Sequence, residues 1–264
     1  MTEPKAQLPH LHIAVVTLFP DMVMSASSHG ICGRAVDAGL LRLDCVNPRD
    51  FAHGPHRAVD DRPYGGGPGM VMMVEPLRRA IATARDVIGR SAPVIYLSPQ
   101  GRVVDQAWVT ASAQLPALIL LCGRYEGIDE RLIEMEVDYE LSLGDFVMSG
   151  GEVPALAVID AMTRLLPGAL GDAQSAQQDS FADGLLDCPH YTRPETVENL
   201  SVPPVLMSGH HENIKRWRLG QALARTAERR PDLLRQRELS AVERTLVEDL
   251  PAATRAKLRV DDDE

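Results

Sequence analysis

Residues 117–152 read ALILLCGRYEGIDERLIEMEVDYELSLGDFVMSGGE. Ala117 to Cys122 and Val137 to Ser142, read as strands, each empty into a Gly-rich turn, the pattern of strands ending in loops. From Glu126 to Asp145 there are eight acidic residues against one Arg, and no Lys stands in either turn. A pocket built from such loops suits a ligand that is not a phosphate.

Outward from this stretch the same alternation continues. Strands are predicted over 12–19, 40–46, 70–74 and 93–98, and helices over 76–88, 105–114 and 153–166. Pro76 suits a first helical position and Asp105 an N-cap. Repeated β-α units predict a mostly parallel sheet covered by helices, an α/β class. The pattern lapses over 168–183 into GALGDAQSAQQDSFAD, small and polar, which reads as a linker. The predicted organisation is an α/β domain over 1–170, a flexible linker over 171–186, and a helical domain over 187–264 that closes on an acidic tail.

The chain has 264 residues, 45% hydrophobic and 24% charged, enough to bury one large core or two smaller ones. The N-terminus has no basic segment before an apolar run, and no stretch reaches transmembrane length, so a cytoplasmic protein without a membrane partner is expected. Cys32, Cys45, Cys122 and Cys188 show no C-x-x-C spacing, which predicts reduced thiols and no metal site. A formal net charge of −10 hides an uneven distribution. Between Lys215 and Arg237 stand eight Lys or Arg against Glu228 and Asp232, with Trp217 among them. That island is able to track a phosphate backbone; the bland alternative is a solvated helix face held by local ion pairs.

Ligands of open parallel sheets bind beyond the carboxyl ends of the strands. Three loops lie there: Tyr96-Leu97-Ser98-Pro99-Gln100-Gly101, Cys122 to Gly127, and Ser142 to Gly151. G-x-x-x-x-G-K-[ST] is missing, and Met70 stands where the last Gly of G-x-G-x-x-G belongs, which speaks against phosphoryl transfer and NAD binding. H-E-x-x-H and G-x-S-x-G are missing too. The run Pro63-Tyr64-Gly65-Gly66-Gly67-Pro68-Gly69-Met70 reads as a loop able to close over a ligand.

Taken jointly, YGGGPGM, YLSPQG, LCGRYEGIDER, SLGDFVMSGGE, DSFADGLLDCPHYTRPE and PPVLMSGHHENIKRWR closely resemble the bacterial tRNA (guanine-N1)-methyltransferases, the TrmD family of the SPOUT superfamily. The resemblance runs from about residue 13 to about residue 234. It implies a knotted α/β domain with a deep trefoil, a linker, a small helical domain and a homodimer with active sites at the subunit interface. The implied reaction moves a methyl group from S-adenosylmethionine to N1 of guanine 37, just 3′ of the tRNA anticodon. Removing the N1 proton needs a base, and charge gathering at O6 needs a cation. The family pattern places the base at Asp179 and the cation at Arg164, with Glu126 facing both cofactor and guanine.

By the same resemblance Tyr96, Leu97, Ser98, Pro99, Gly123, Tyr125, Ser142, Leu143, Gly144, Asp145, Phe146, Val147, Met148, Gly150 and Gly151 hold the cofactor. Gly69, Ser180, His190, Arg193, Lys215, Arg216 and Arg218 are assigned to the tRNA anticodon arm. Phe146 departs from the Tyr expected in many relatives, losing a hydroxyl and keeping the ring. Mg²⁺ is a possible assistant in proton removal, although no spacing specifies a metal. Two alternatives stand: a non-catalytic RNA-binding or ribosome-assembly factor, and a SPOUT methyltransferase acting on another RNA site. The presence of Arg164 and Asp179 argues against the first, and the GGGPGM loop and Asp179 linker against the second.

Overall fold

A computed structural model describes residues 9–171 and 175–258. The first eight residues and the acidic tail from Asp261 to Glu264 lie outside them, as do positions 172–174 of the expected linker. The chain divides into two compact units, residues 1–173 and 174–264.

In the first unit five strands form one parallel sheet: β1 (Leu11–Val16), β2 (Leu41–Val46), β5 (Val94–Val103), β6 (Ala117–Cys122) and β7 (Tyr139–Ser142). Their order is β2-β1-β6-β5-β7, every pairing parallel. Neither face is solvated. Leu11, Ile13, Val15, Leu118, Leu120 and Cys122 enter one core cluster, while Ala14, Val16, Ala117, Ile119 and Leu121 enter the other. Burial on both faces is why β6 is an unbroken apolar run and β1 is apolar but for the buried His12, with no alternation.

One face is covered by α1 (Pro20–Ser27), α2 (Gly30–Asp37), α4 (Gln106–Ser112) and α6 (Glu152–Thr163). The other is covered by α3 (Val74–Ile88) and α5 (Glu130–Glu136). Asp105 caps α4 as expected, its carboxylate accepting from Trp108 N at 2.7 Å. Helix α3 begins at Val74 rather than Pro76, which therefore sits inside the first turn, where its missing N–H costs nothing. The strand predicted over 70–74 is corrected. Only β4 (Val71–Met72) forms, paired antiparallel with β3 (Asp60–Asp61) apart from the main sheet. Met72 is tied instead to residues 127–129, donating to Gly127 O at 3.0 Å and accepting from Asp129 N at 3.1 Å.

In the second unit α7 (Ser175–Gln178) is followed by a turn-rich segment, a short hairpin of β8 (Thr196–Val197) and β9 (Leu200–Ser201), and α8 (Pro204–Met207). A bundle follows: α9 (His211–Arg229), α10 (Pro231–Arg235), α11 (Ala241–Glu248) and α12 (Ala252–Ala256). Leu223 and Ala227 of α9 are fully buried and pack with Leu185, Cys188 and Leu234. Part of the stretch expected as linker is thereby folded: Leu185 is buried, and Leu186 N donates to Thr226 Oγ1 at 2.9 Å.

Candidate active site

Two of the three loops leave the carboxyl ends of β6 and β7, whereas residues 98–101, expected as a loop, lie within β5, which runs on to Val103. β5 slips register against β7 between Leu97 and Arg102, both of which pair with Leu141, so residues 98–101 bulge out of the ladder. Ser98 Oγ holds that bulge by accepting from Gln100 N at 3.2 Å. The loop after β6 turns sharply at Tyr125, whose φ of +59° is unusual for a residue with a side chain. The loop after β7 is braced by Ser142, whose hydroxyl donates to Gly144 O at 3.0 Å and accepts from Gly144 N at 3.1 Å.

The second and third loops are fastened to each other. Gly151 N donates to Gly123 O at 3.0 Å, and Arg124 forms an antiparallel bridge with Gly150. Beneath them lies Tyr96, 7% exposed, its ring so close to Gly123 that a Cβ there would meet it at 2.8 Å. Burial, reinforced by the charge of Glu140, pushes the Tyr96 hydroxyl up to about 12, so it remains a neutral strut.

Together the loops enclose a cavity of about 320 Å³. All the residues assigned to the cofactor line it except Gly144 and Asp145. Glu126 lines it as well. Gly69 abuts Glu126, since a Cβ on Gly69 would sit 2.2 Å from Glu126 Oε1, and Glu126 N donates to Met70 O at 2.9 Å. The glycine loop is therefore bound to the pocket wall. Phe146 is more than half exposed and its ring covers Gly144.

Several lining residues were given no role from sequence: Gln100, Arg124, Glu130, Ile133, Leu141 and Pro154. Ile133 was out of reach because α5 itself was not predicted. Arg124 carried a signal, as the one cation in the loop from Gly123 to Gly127.

Arg164 and Asp179 fall in different units. Arg164 ends α6, half-buried, its N–H donating to Asp160 O at 3.1 Å, and it does not line the cavity. Asp179 lines an open cavity of about 670 Å³ within the second unit, with His190, Lys215 and Arg218 among its neighbours. Ser180 Oγ accepts from Asp187 N at 3.0 Å. Arg193 and Arg216 are exposed and outside that cavity.

The basic island is partly consumed by structure. Arg225 donates to Asp187 O, Arg230 pairs with Asp232 at 2.6 Å, and Arg237 pairs with Glu243 at 2.7 Å. Among the described residues Lys215, Arg216 and Arg218 form no ion pair.

One cluster among the described residues, Asp187, Cys188 and His190, brings three ligand atoms within 4.8 Å. Burial and the neighbouring Asp187 raise the Cys188 thiol, which keeps it protonated, and a thiol is not the oxygen ligand that Mg²⁺ prefers. No helix is long and apolar enough to cross a membrane among the described residues.

The family model for tRNA (Guanine-1)-methyltransferase TrmD matches residues 11–236. The chain belongs to this family. The match covers most of the first unit of the TrmD-family chain and reaches into the second as far as residue 236, taking in Arg164, Asp179 and every loop of the cavity. It is 60% identical over 240 residues to a tRNA (guanine-N(1)-)-methyltransferase of Haemophilus influenzae strain PittGG, covering 91% of this chain and 98% of that one. The proteins of the same name from Pasteurella multocida and Shewanella sediminis are 59% identical over 240 residues and 62% identical over 224 residues. They are covered over 98% and 93% of their lengths, and this chain over 91% and 85%.

The cavity is suited to the methyl donor of such a family. Its apolar walls (Leu97, Pro99, Ile128, Leu141, Pro154) are interrupted by loop backbone, and its volume lies within the roughly 300–1,000 Å³ of small-molecule sites. Glu126 and Glu130 put two carboxylates on its lining.

Proposed function

We propose that this protein methylates N1 of guanine 37, immediately 3′ of the anticodon, in tRNA, with S-adenosylmethionine as donor. The observation that carries the reading is one cavity at the strand ends, walled by three Gly-rich loops and edged by carboxylates, in a chain of the TrmD family. When bound, S-adenosylmethionine supplies an electrophilic methyl group on a positive sulfur. The loop residues Tyr96 to Pro99, Gly123, Tyr125 and Ser142 to Gly151 hold it and exclude water.

Asp179 accepts the N1 proton, a step on the order of 10²- to 10⁴-fold in rate. Arg164 offsets the charge that gathers on O6. Glu126, pressed against Gly69 at the mouth, accepts from a guanine N–H. Lys215, Arg216 and Arg218, with His190 and Arg193, hold the anticodon arm through phosphate contacts and stacking. No step here is routed through Mg²⁺.

The protein acts in the cytoplasm as a homodimer, Asp179 of one protomer serving the cofactor held by its partner; the trefoil knot implied by the family belongs to the same reading. Incubation with labelled donor and unmodified tRNA, followed by mapping of the modified base, tests the function: no label on guanine N1 overturns it. A heterodimer with Asp179→Ala in one subunit and a cofactor-loop defect in the other keeps one working site. Complete inactivity refutes the shared site.

A further inference from the structure

Among the described residues lining the cofactor cavity, Arg124 is the one basic residue, and Glu126 and Glu130 are its acidic ones. A bare guanidinium there opposes a sulfonium ligand. Behind Arg124, away from solvent, stands Glu152, fully buried at the first turn of α6. Its Oε2 lies 2.8 Å from Arg124 Nη2, and its Oε1 accepts from the buried Thr17 hydroxyl at 2.8 Å. The guanidinium is held flat from three further sides. Nη1 donates to Ser149 O at 3.1 Å, the Phe19 ring lies 4.5 Å away, and Gly150 approaches so closely that a Cβ would come within 2.3 Å of Nε.

A buried carboxylate is costly unless paired, and this one is paired with Arg124. The pair does more than join two loops that the Gly151–Gly123 hydrogen bond already joins.

We infer that Glu152, held by Thr17, is a specificity-determining residue: it cancels the charge of Arg124, so that the cavity presents the net negative charge of Glu126 and Glu130 to its ligand. This rests on the proposed cofactor site and deepens it. A cavity so charged favours the sulfonium of S-adenosylmethionine over the neutral thioether of S-adenosylhomocysteine. In turnover the methyl group leaves sulfur for guanine N1, the N1 proton goes to Asp179, and the sulfur becomes neutral. The electrostatic hold on the cofactor is thereby released with the product.

The test is calorimetric binding of S-adenosylmethionine and S-adenosylhomocysteine to the intact protein and to two variants of near-constant shape. Glu152→Gln leaves Arg124 uncompensated and is expected to weaken S-adenosylmethionine roughly tenfold more than S-adenosylhomocysteine, as for a unit charge losing its partner in a partly buried site. Arg124→Gln removes the cation and shifts the ratio the opposite way. A merely structural bolt weakens both ligands by one factor in both variants, and that result overturns the inference. Should Glu152→Gln not fold, the double variant Arg124→Gln with Glu152→Gln carries the test: a wild-type ratio is expected, and any other ratio refutes it. Wild-type protein that binds neither ligand refutes instead the cofactor site itself.

Discussion

Replacing Gly151 by Ala isolates the close approach of two pocket walls from any question of backbone strain. Gly151 has φ −79° and ψ −7°, a conformation that Ala adopts freely. The added Cβ, however, would stand 2.7 Å from Cys122 Cα, 3.0 Å from Cys122 Cβ and 3.2 Å from Gly123 N. Carbon atoms rest at about 3.5–4.0 Å, so the first contact is short by about 0.8 Å. None of these atoms ends a flexible side chain, and Cys122 is fully buried at the end of β6. Relief therefore requires α6 and its preceding loop to move away from β6, stretching the Gly151–Gly123 hydrogen bond.

Overpacking of this kind costs about 1–3 kcal/mol. At about 2–4 °C per kcal/mol for a unit of this size, the melting temperature should fall by roughly 2–12 °C. Because the same displacement parts the walls holding the cofactor, binding should weaken at least about tenfold, equivalent to ~1.4 kcal/mol. Scanning calorimetry and titration with S-adenosylhomocysteine read the two effects. Gly171→Ala is the control: nothing lies within 4 Å of its Cβ position, and stability should hold within ~0.5 kcal/mol. A Gly151→Ala protein that melts and binds like wild type refutes the argument from close approach.

Gly69→Ala should act at Glu126, since the new Cβ would fall 2.2 Å from its Oε1 and Gly69 has φ +83°. Glu126 can swing aside, so the fold survives while methyl transfer drops more than about tenfold; a variant with unchanged kcat on tRNA counts against a role for this contact. Acid stability should depend on Asp187. Although burial opposes it, hydrogen bonds from His190 and from Cys188 N hold this carboxylate below its usual range. Its contribution is present above the ordinary carboxylate range and disappears as pH falls through the lowered value. Asp187→Asn should therefore narrow the difference in melting temperature between neutral and acid pH; an unchanged profile contradicts this. The thiols should resist alkylation in the native protein at pH 8. Burial pushes Cys45 up to about 12 and Cys122 far above its ordinary value, and raises Cys32 and Cys188. Mass spectrometry after iodoacetamide should find labels only after unfolding, and rapid native labelling of Cys122 contradicts its burial.

The run of apolar residues through β6 and the Gly-rich turn behind it were legible in the chain as written, because a strand buried on both faces and a loop at its end are local facts of composition. The Asp105 cap is local in the same sense, and joint motifs spread over both units carried the family. Helices α1, α2 and α5 were not legible. At eight, eight and seven residues they are too short to be stable alone, and exist because Val23, Cys32, Ala35 and Leu132 are buried against the sheet. The length of β5 was equally hidden, since its register slip exists only beside β7.

Above all, tertiary structure decided what faces the cavity. The order β2-β1-β6-β5-β7 sets the ends of β6, β5 and β7 side by side, and that adjacency makes one pocket of three loops. Thr17 meets Glu152 across 135 positions, and Glu152 in turn reaches Arg124. Periodicity reports which face of its own element a residue occupies. Which distant partner it meets is chosen by burial of the whole sheet, and a charge pair inside that core becomes visible only once the strands are in place.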